Sequence, residues 1–62
     1  MKITKLRLER LKRDLTQAQV SLMSGLPQIR ISLIERGLPP QAKDVEALSK
    51  IFGLSPEELF HS

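Results

Sequence analysis

Thr16-Gln17-Ala18-Gln19-Val20-Ser21-Leu22-Met23-Ser24-Gly25-Leu26-Pro27-Gln28-Ile29-Arg30-Ile31-Ser32-Leu33-Ile34-Glu35-Arg36-Gly37 is the stretch from which the rest of this chain of 62 residues is read. Thr16 and Gln19 have the spacing of a capping box. The Thr16 hydroxyl is placed to accept an amide of the following helix, and Gln19 is placed to reach back. The helix they start runs through Val20 and Met23 to Gly25, which takes a left-handed cap without a Cβ penalty. Pro27 suits the first turn of a second helix, where its missing amide proton has no partner to lose. Gly37 closes that helix. The stretch therefore predicts two short helices joined by a tight turn, with Ser21 small because the helices cross closely there.

The flanks continue the pattern. A first helix is expected from about Thr4 to Asp14, with Leu6, Arg10 and Arg13 on one face and Leu8, Leu11 and Leu15 on another. Pro39-Pro40 keeps the next connection extended. A fourth helix from about Gln41 to Phe52 carries Ala42, Val45, Leu48 and Phe52 at helical spacing and stops at Gly53. Ser55-Pro56-Glu57-Glu58 then supplies a Ser cap, Pro at the first position and Glu at the third, starting a fifth helix that ends with Leu59 and Phe60. No segment alternates like a strand, and no repeat or low-complexity tract occurs. The reading is an all-α fold, a single five-helix domain over residues 1–62. Its core is expected from Val20, Leu26, Ile31 and Ile34, backed by Leu6, Val45, Leu48 and Phe52.

Composition narrows the function classes. A chain this short buries only about 60% of the surface its unfolded form exposes. It has no cysteine, so neither disulfides nor thiolate metal sites support it. The single histidine, His61, makes no metal site alone and is expected to be inert, and no cofactor is expected. Apolar runs are no longer than a pair such as Ile51-Phe52, so no membrane span is expected. Met1 to Lys5 lacks the apolar run of a secretory leader, and the expected location is the cytoplasm. No Ser/His/Asp or metal-ligand constellation exists, and the length leaves little room for a substrate cleft, so an enzyme is not expected. The formal charge is +3 with a pI near 9.8, unevenly spread. Lys2, Lys5, Arg7, Arg10, Lys12 and Arg13 stand against Glu9 in residues 1–13, while Asp44, Glu46, Glu57 and Glu58 stand against Lys50 in residues 44–58. Such a dipole orients a molecule toward a polyanion, although a solvated surface would look the same.

The opening Thr16-Gln17, the small Ser21, the turn at Gly25-Leu26 and the run from Ile31 to Gly37 together resemble the helix-turn-helix of the lambda-repressor-like (Xre) family. The segment from Ala42 to Phe60, with its Gly-Leu-Ser-Pro-Glu-Glu-Leu-Phe ending, resembles that family's fourth and fifth helices. The resemblance covers nearly the whole chain and implies a regulator of transcription, most simply a repressor. It would bind operator DNA as a homodimer, in association with the nucleoid, with the motif at about 16–37 and the recognition helix at 27–36 in the major groove. No effector-binding or separate dimerisation domain is expected.

On a helix, Ile31, Ile34 and Glu35 fall on one side, and Gln28, Ile29, Ser32, Leu33 and Arg36 fall on the other. The resemblance makes the second set the reading face. Gln28, Ile29, Ser32 and Leu33 are the expected base contacts, Gln28 pairing with adenine and the two aliphatic residues meeting thymine methyls. That favours A·T pairs at the centre of each half-site. Gln17, with the amides at the start of its helix, is an expected phosphate contact, as are Arg36, Lys43 and Arg10. Arg10 has a competing structural role, pairing with Glu35. Arg30 lies on the flank, open to a phosphate contact or to simple solvation. Lys5, Arg7, Lys12 and Arg13 are assigned to general electrostatics.

The chain departs from the family pattern at Leu8, Leu11, Leu22, Met23, Ile29, Leu33 and Leu38, where polar residues are common. Pro27 replaces the usual Ser or Thr cap, and Asp14 stands where glycine is common, which would tighten or shift the end of the first helix. Exposed apolar clusters mark partner surfaces. Three explanations compete: a homodimer interface, contact with another protein, or a rotation of helices that buries some of these residues. The alternative function is accordingly a protein-interaction module, with Ile29 and Leu33 docking a partner helix instead of DNA.

Overall fold

In a computed structural model, which describes residues 4–60, five helices follow one another. They are α1 (Lys5–Lys12), α2 (Gln17–Ser24), α3 (Gln28–Glu35), α4 (Ala42–Phe52) and α5 (Pro56–Phe60), with no strand among the described residues. The expectation for His61 falls outside the described residues.

The local signals act where their chemistry places them. Thr16 Oγ1 accepts from the Gln19 amide at 3.0 Å, and Gln19 Oε1 accepts from the Thr16 amide at 2.7 Å. Ser55 and Glu58 make the same reciprocal pair at α5. Gly25 caps α2 at φ +77. The turn after it is tied by two serines: Ser21 Oγ donates to the Leu26 carbonyl, and Ser24 Oγ accepts from the Leu26 amide. Leu26 is thereby directed into the core.

Two boundaries differ from the sequence reading. Pro27 is the cap of α3 rather than its first residue, with extended dihedrals (φ −60, ψ 143), and its carbonyl accepts from the Arg30 and Ile31 amides. No side chain caps α3. The first helix ends at Lys12, because Asp14 turns left-handed at φ +54. The Asp14 amide bonds to the Leu11 carbonyl and the Leu15 amide to the Arg10 carbonyl, the pair of bonds that closes a Schellman motif. Asp14 therefore holds the position that favours glycine. Replacing Asp14 with glycine should stabilise the domain by about 0.5–1 kcal/mol, read as a higher urea midpoint at unchanged m-value.

Packing follows the same logic. Leu6, Val20, Leu26, Ile31, Ile34, Leu48, Phe52 and Leu59 form one buried cluster, with Leu15, Ala47, Ile51, Leu54 and Phe60 packed against it. Val45, expected in the core, is only half-buried. Helix α3 packs mainly on α2 and α1, while α4 packs on α2 and α5. The result leaves one side of α3 uncovered.

Candidate nucleic-acid interface

The 3.6-residue period of α3 sorts its side chains into two environments. Ile31, Ile34 and Glu35 are buried, while Gln28, Ile29, Leu33 and Arg36 are exposed and Ser32 is half-buried. The outer face therefore presents an amide, two aliphatic groups, a hydroxyl and a guanidinium along one short helix. Arg36 and Ser32 are joined, Arg36 Nη2 donating to Ser32 Oγ at 3.0 Å. That bond holds the guanidinium along the helix surface.

Beneath this face lies an ionic network. Arg10 Nε donates to Glu35 Oε2 at 2.6 Å, and Arg10 Nη2 donates to Glu35 Oε1 at 3.0 Å. The same Oε1 accepts from Gln17 Nε2 at 3.0 Å, and Arg10 Nη1 donates to the Leu15 carbonyl at 2.8 Å. Thr4 Oγ1 adds a bond to the Glu35 carbonyl at 3.0 Å. Arg10 is only 9% exposed, so its guanidinium is spent inside the protein and is not presented to a phosphate. Gln17 points one of its amide protons inward to Glu35. The Gln17 and Ala18 amides at the start of α2 have no intrahelical acceptor, while that of Gln19 is taken by Thr16.

Arg30 is half-buried and ion-paired rather than simply solvated. Its Nε and Nη2 donate to Asp44 Oδ2 at 3.0 and 2.8 Å, and the Gln41 amide donates to that same oxygen at 2.8 Å. Asp44 is fully buried, and among the described residues its Oδ1 has no hydrogen-bond partner. Arg30, assisted by the Gln41 amide, holds the Asp44 carboxyl below the usual carboxylate range, against the opposing effect of burial. A depressed folded-state pKa means a contribution that is complete above the unfolded pKa and is lost as pH falls through the folded one. Stability at pH 7 should therefore exceed that at pH 3. Asp44→Asn should reduce that difference in parallel urea titrations.

Arg13 also leaves the class of general electrostatics. Its guanidinium lies 4.9 Å from the centre of the Phe52 ring and donates to the Phe52 carbonyl at 3.1 Å, while bonding Glu9 at 2.7 Å. It closes the end of α4 against α1. Arg36 and Lys43 are exposed, as are Arg7 and Lys12, the last bonded to Glu9 at 3.3 Å.

The sequence reading missed Asp44 as an internal residue. The available signal was its place three residues after Gln41, where an acidic side chain reaches back to the amide that opens the helix. The seven apolar residues flagged in the sequence are all exposed, from 37% at Leu33 and Leu38 to 85% at Leu22. Helix rotation does not bury them. No helix of the described residues is long and apolar enough to cross a membrane.

Among known proteins, a family model described as helix-turn-helix matches residues 6–59. No curated protein and no solved structure matches the chain.

Proposed function

The chain belongs to the lambda-repressor-like helix-turn-helix family of DNA-binding transcriptional regulators, and we propose that it reads an operator through the outer face of α3 in the major groove. The observation that carries this reading is the split of α3. Its inner side is fixed by Ile31, Ile34 and the Glu35–Arg10 pair, while Gln28, Ile29, Leu33 and Arg36 stand in solvent. Gln28 would pair with adenine, Ser32 would add a hydroxyl contact, and Ile29 and Leu33 would meet thymine methyls. Gln17, Arg36 and Lys43 would hold phosphates and set register.

A single helix of eight residues reads few base pairs, so two copies on a two-fold symmetric site supply the affinity. Their recognition helices would lie about 34 Å apart in successive major grooves. Occupying an operator in this way excludes other proteins from it, which favours repression. Such a regulator would reside with the nucleoid.

Replacing Gln28 and Arg36 together with alanine tests the reading face. Discrimination between the preferred site and one altered at the half-site centre should fall by about 10- to 100-fold, and thermal stability should change little because both side chains are exposed. An unchanged site preference in this variant would contradict the assignment.

The second reading is a protein-interaction module, and one observation favours it. Ile29 is 64% exposed in the middle of the proposed reading face. Under that reading the same double substitution leaves partner binding intact, whereas Ile29→Gln abolishes it.

A further inference from the structure

The ion pair between Arg30 and Asp44 joins two helices that otherwise touch little. Helix α3 is packed by α2 and α1, and its direct contact with α4 is slight. The pair bridges that gap at the N-terminal half of α3. Its oxygen is also the acceptor for the Gln41 amide that opens α4, so α3 is tied to the cap of α4. Gln28 and Ile29 precede Arg30 by two residues and one, within about 3 Å along the helix axis. A tilt of α3 about its packed inner side would move these two side chains first.

The chemistry makes the tie stiff. Arg30 presents two donors from its planar guanidinium to one buried carboxylate oxygen, at 3.0 and 2.8 Å, and charge-assisted bonds of this kind are shorter and stronger than neutral ones. With the pair in place Asp44 has no surface exposed to water, so water does not compete with Arg30 for that oxygen. Arg30 keeps part of its side chain in solvent, 24% exposed. One end of the brace is therefore anchored in the interior and the other lies beside the reading face.

We infer that the Arg30–Asp44 pair is a brace that sets the tilt of α3 and hence where Gln28 and Ile29 meet the bases, Asp44 being a positioning residue that acts through Arg30. This rests on the DNA reading proposed above. A merely structural ion pair would change stability and leave base discrimination alone. A direct phosphate contact by Arg30 would change overall affinity and its salt dependence.

Two variants separate these roles. Arg30→Met combined with Asp44→Leu replaces the buried pair by apolar groups, an exchange that folded proteins commonly tolerate. Arg30→Lys keeps the charge and loses the fork, so it carries the test if the double variant fails to fold. Residual dipolar couplings of the α3 amides relative to those of α4 report the tilt without DNA. Competition binding between the wild-type protein's selected site and one altered at the base pair read by Gln28 reports the consequence. The expected result is a reoriented α3 together with a loss of discrimination of about tenfold or more, at an unchanged salt slope. An α3 that keeps its orientation in both variants overturns the inference. So does a reoriented α3 with intact discrimination, or intact discrimination with a salt slope reduced by about one, the mark of a lost phosphate contact. If the wild-type protein selects no site while α3 still reorients, the DNA reading falls and the role in reading falls with it. The brace itself would remain visible in the couplings, so the two failures are distinguishable.

Discussion

Replacing Arg10 with methionine should cost the domain a large share of its stability. The substitution keeps most of the aliphatic stem and removes the charge. It leaves the Glu35 carboxylate, whose side chain is only 3% exposed, without its main partner. Breaking a buried pair from one side costs about 3–5 kcal/mol. A domain of this length has a total stability of about 3–9 kcal/mol, so the loss is a large fraction of it. Circular dichroism across a urea titration would show the loss as a much lower midpoint at an unchanged m-value. Removing both partners, with Arg10→Met and Glu35→Leu, should recover only part. The Leu15 carbonyl and Gln17 Nε2 both bond to this pair and would each lose a partner. A single variant as stable as the parent would show that the pair contributes little, and the account of what fixes the inner side of α3 would be wrong.

Ile31→Ala should be nearly as damaging, for a different reason. Ile31 has no exposure at all and lies on the inner side of α3, in the cluster that includes Val20, Ile34 and Leu48. Removing its outer carbons gives up apolar burial and leaves a cavity that rigid neighbours fill incompletely, at a cost of about 2–5 kcal/mol. For a domain of this size each kcal/mol lowers the melting temperature by about 4–8 °C. Ile31→Val, which deletes one methylene, should cost about 0.5–1.5 kcal/mol and serves as the graded control. Thermal unfolding of both variants checks the ratio. Equal effects would mean that the site collapses readily and that α3 is not rigidly seated.

The fold was legible because its punctuation is local. Thr16 and Gln19, Gly25, Gly53, and Ser55 with Glu58 each act on amides or dihedrals within a few residues, and the structure places every one of them at a helix end. The exposed face of α3 was legible for a similar reason: helical periodicity alone separates Ile31, Ile34 and Glu35 from Gln28, Ile29 and Leu33. Arg30 and Asp44 were not legible as a pair, since 14 residues separate them and only the tertiary arrangement brings them together. Arg13 resting on Phe52 belongs to the same class, with 39 residues between them. Asp14 shows a third kind of limit. Its place where glycine is common points to an altered helix end, but periodicity does not say that the chain turns left-handed there, so α1 ends two residues before the expected Asp14.

The exposed apolar residues connect the fold to its use. Leu22, Met23 and Ile29 lie at the end of α2 and the start of α3, and Leu8 and Leu11 lie on α1. Ile29 and Leu33 have a use in the proposed function as readers of thymine methyls, the apolar feature of the major groove. The others are not on the reading face. Their exposure suits a protein that works as a pair of copies, which is the arrangement proposed for a symmetric site.

The most direct test of the central claim is selection of binding sites from a randomised DNA pool by the purified chain, repeated at two salt concentrations. The proposed function predicts enrichment of a two-fold symmetric site with A·T pairs at the centre of each half, and affinity that falls steeply as salt rises. Weak binding with no enriched sequence at either salt concentration would contradict it, and would turn attention to Ile29 and Leu33 as a surface for another protein.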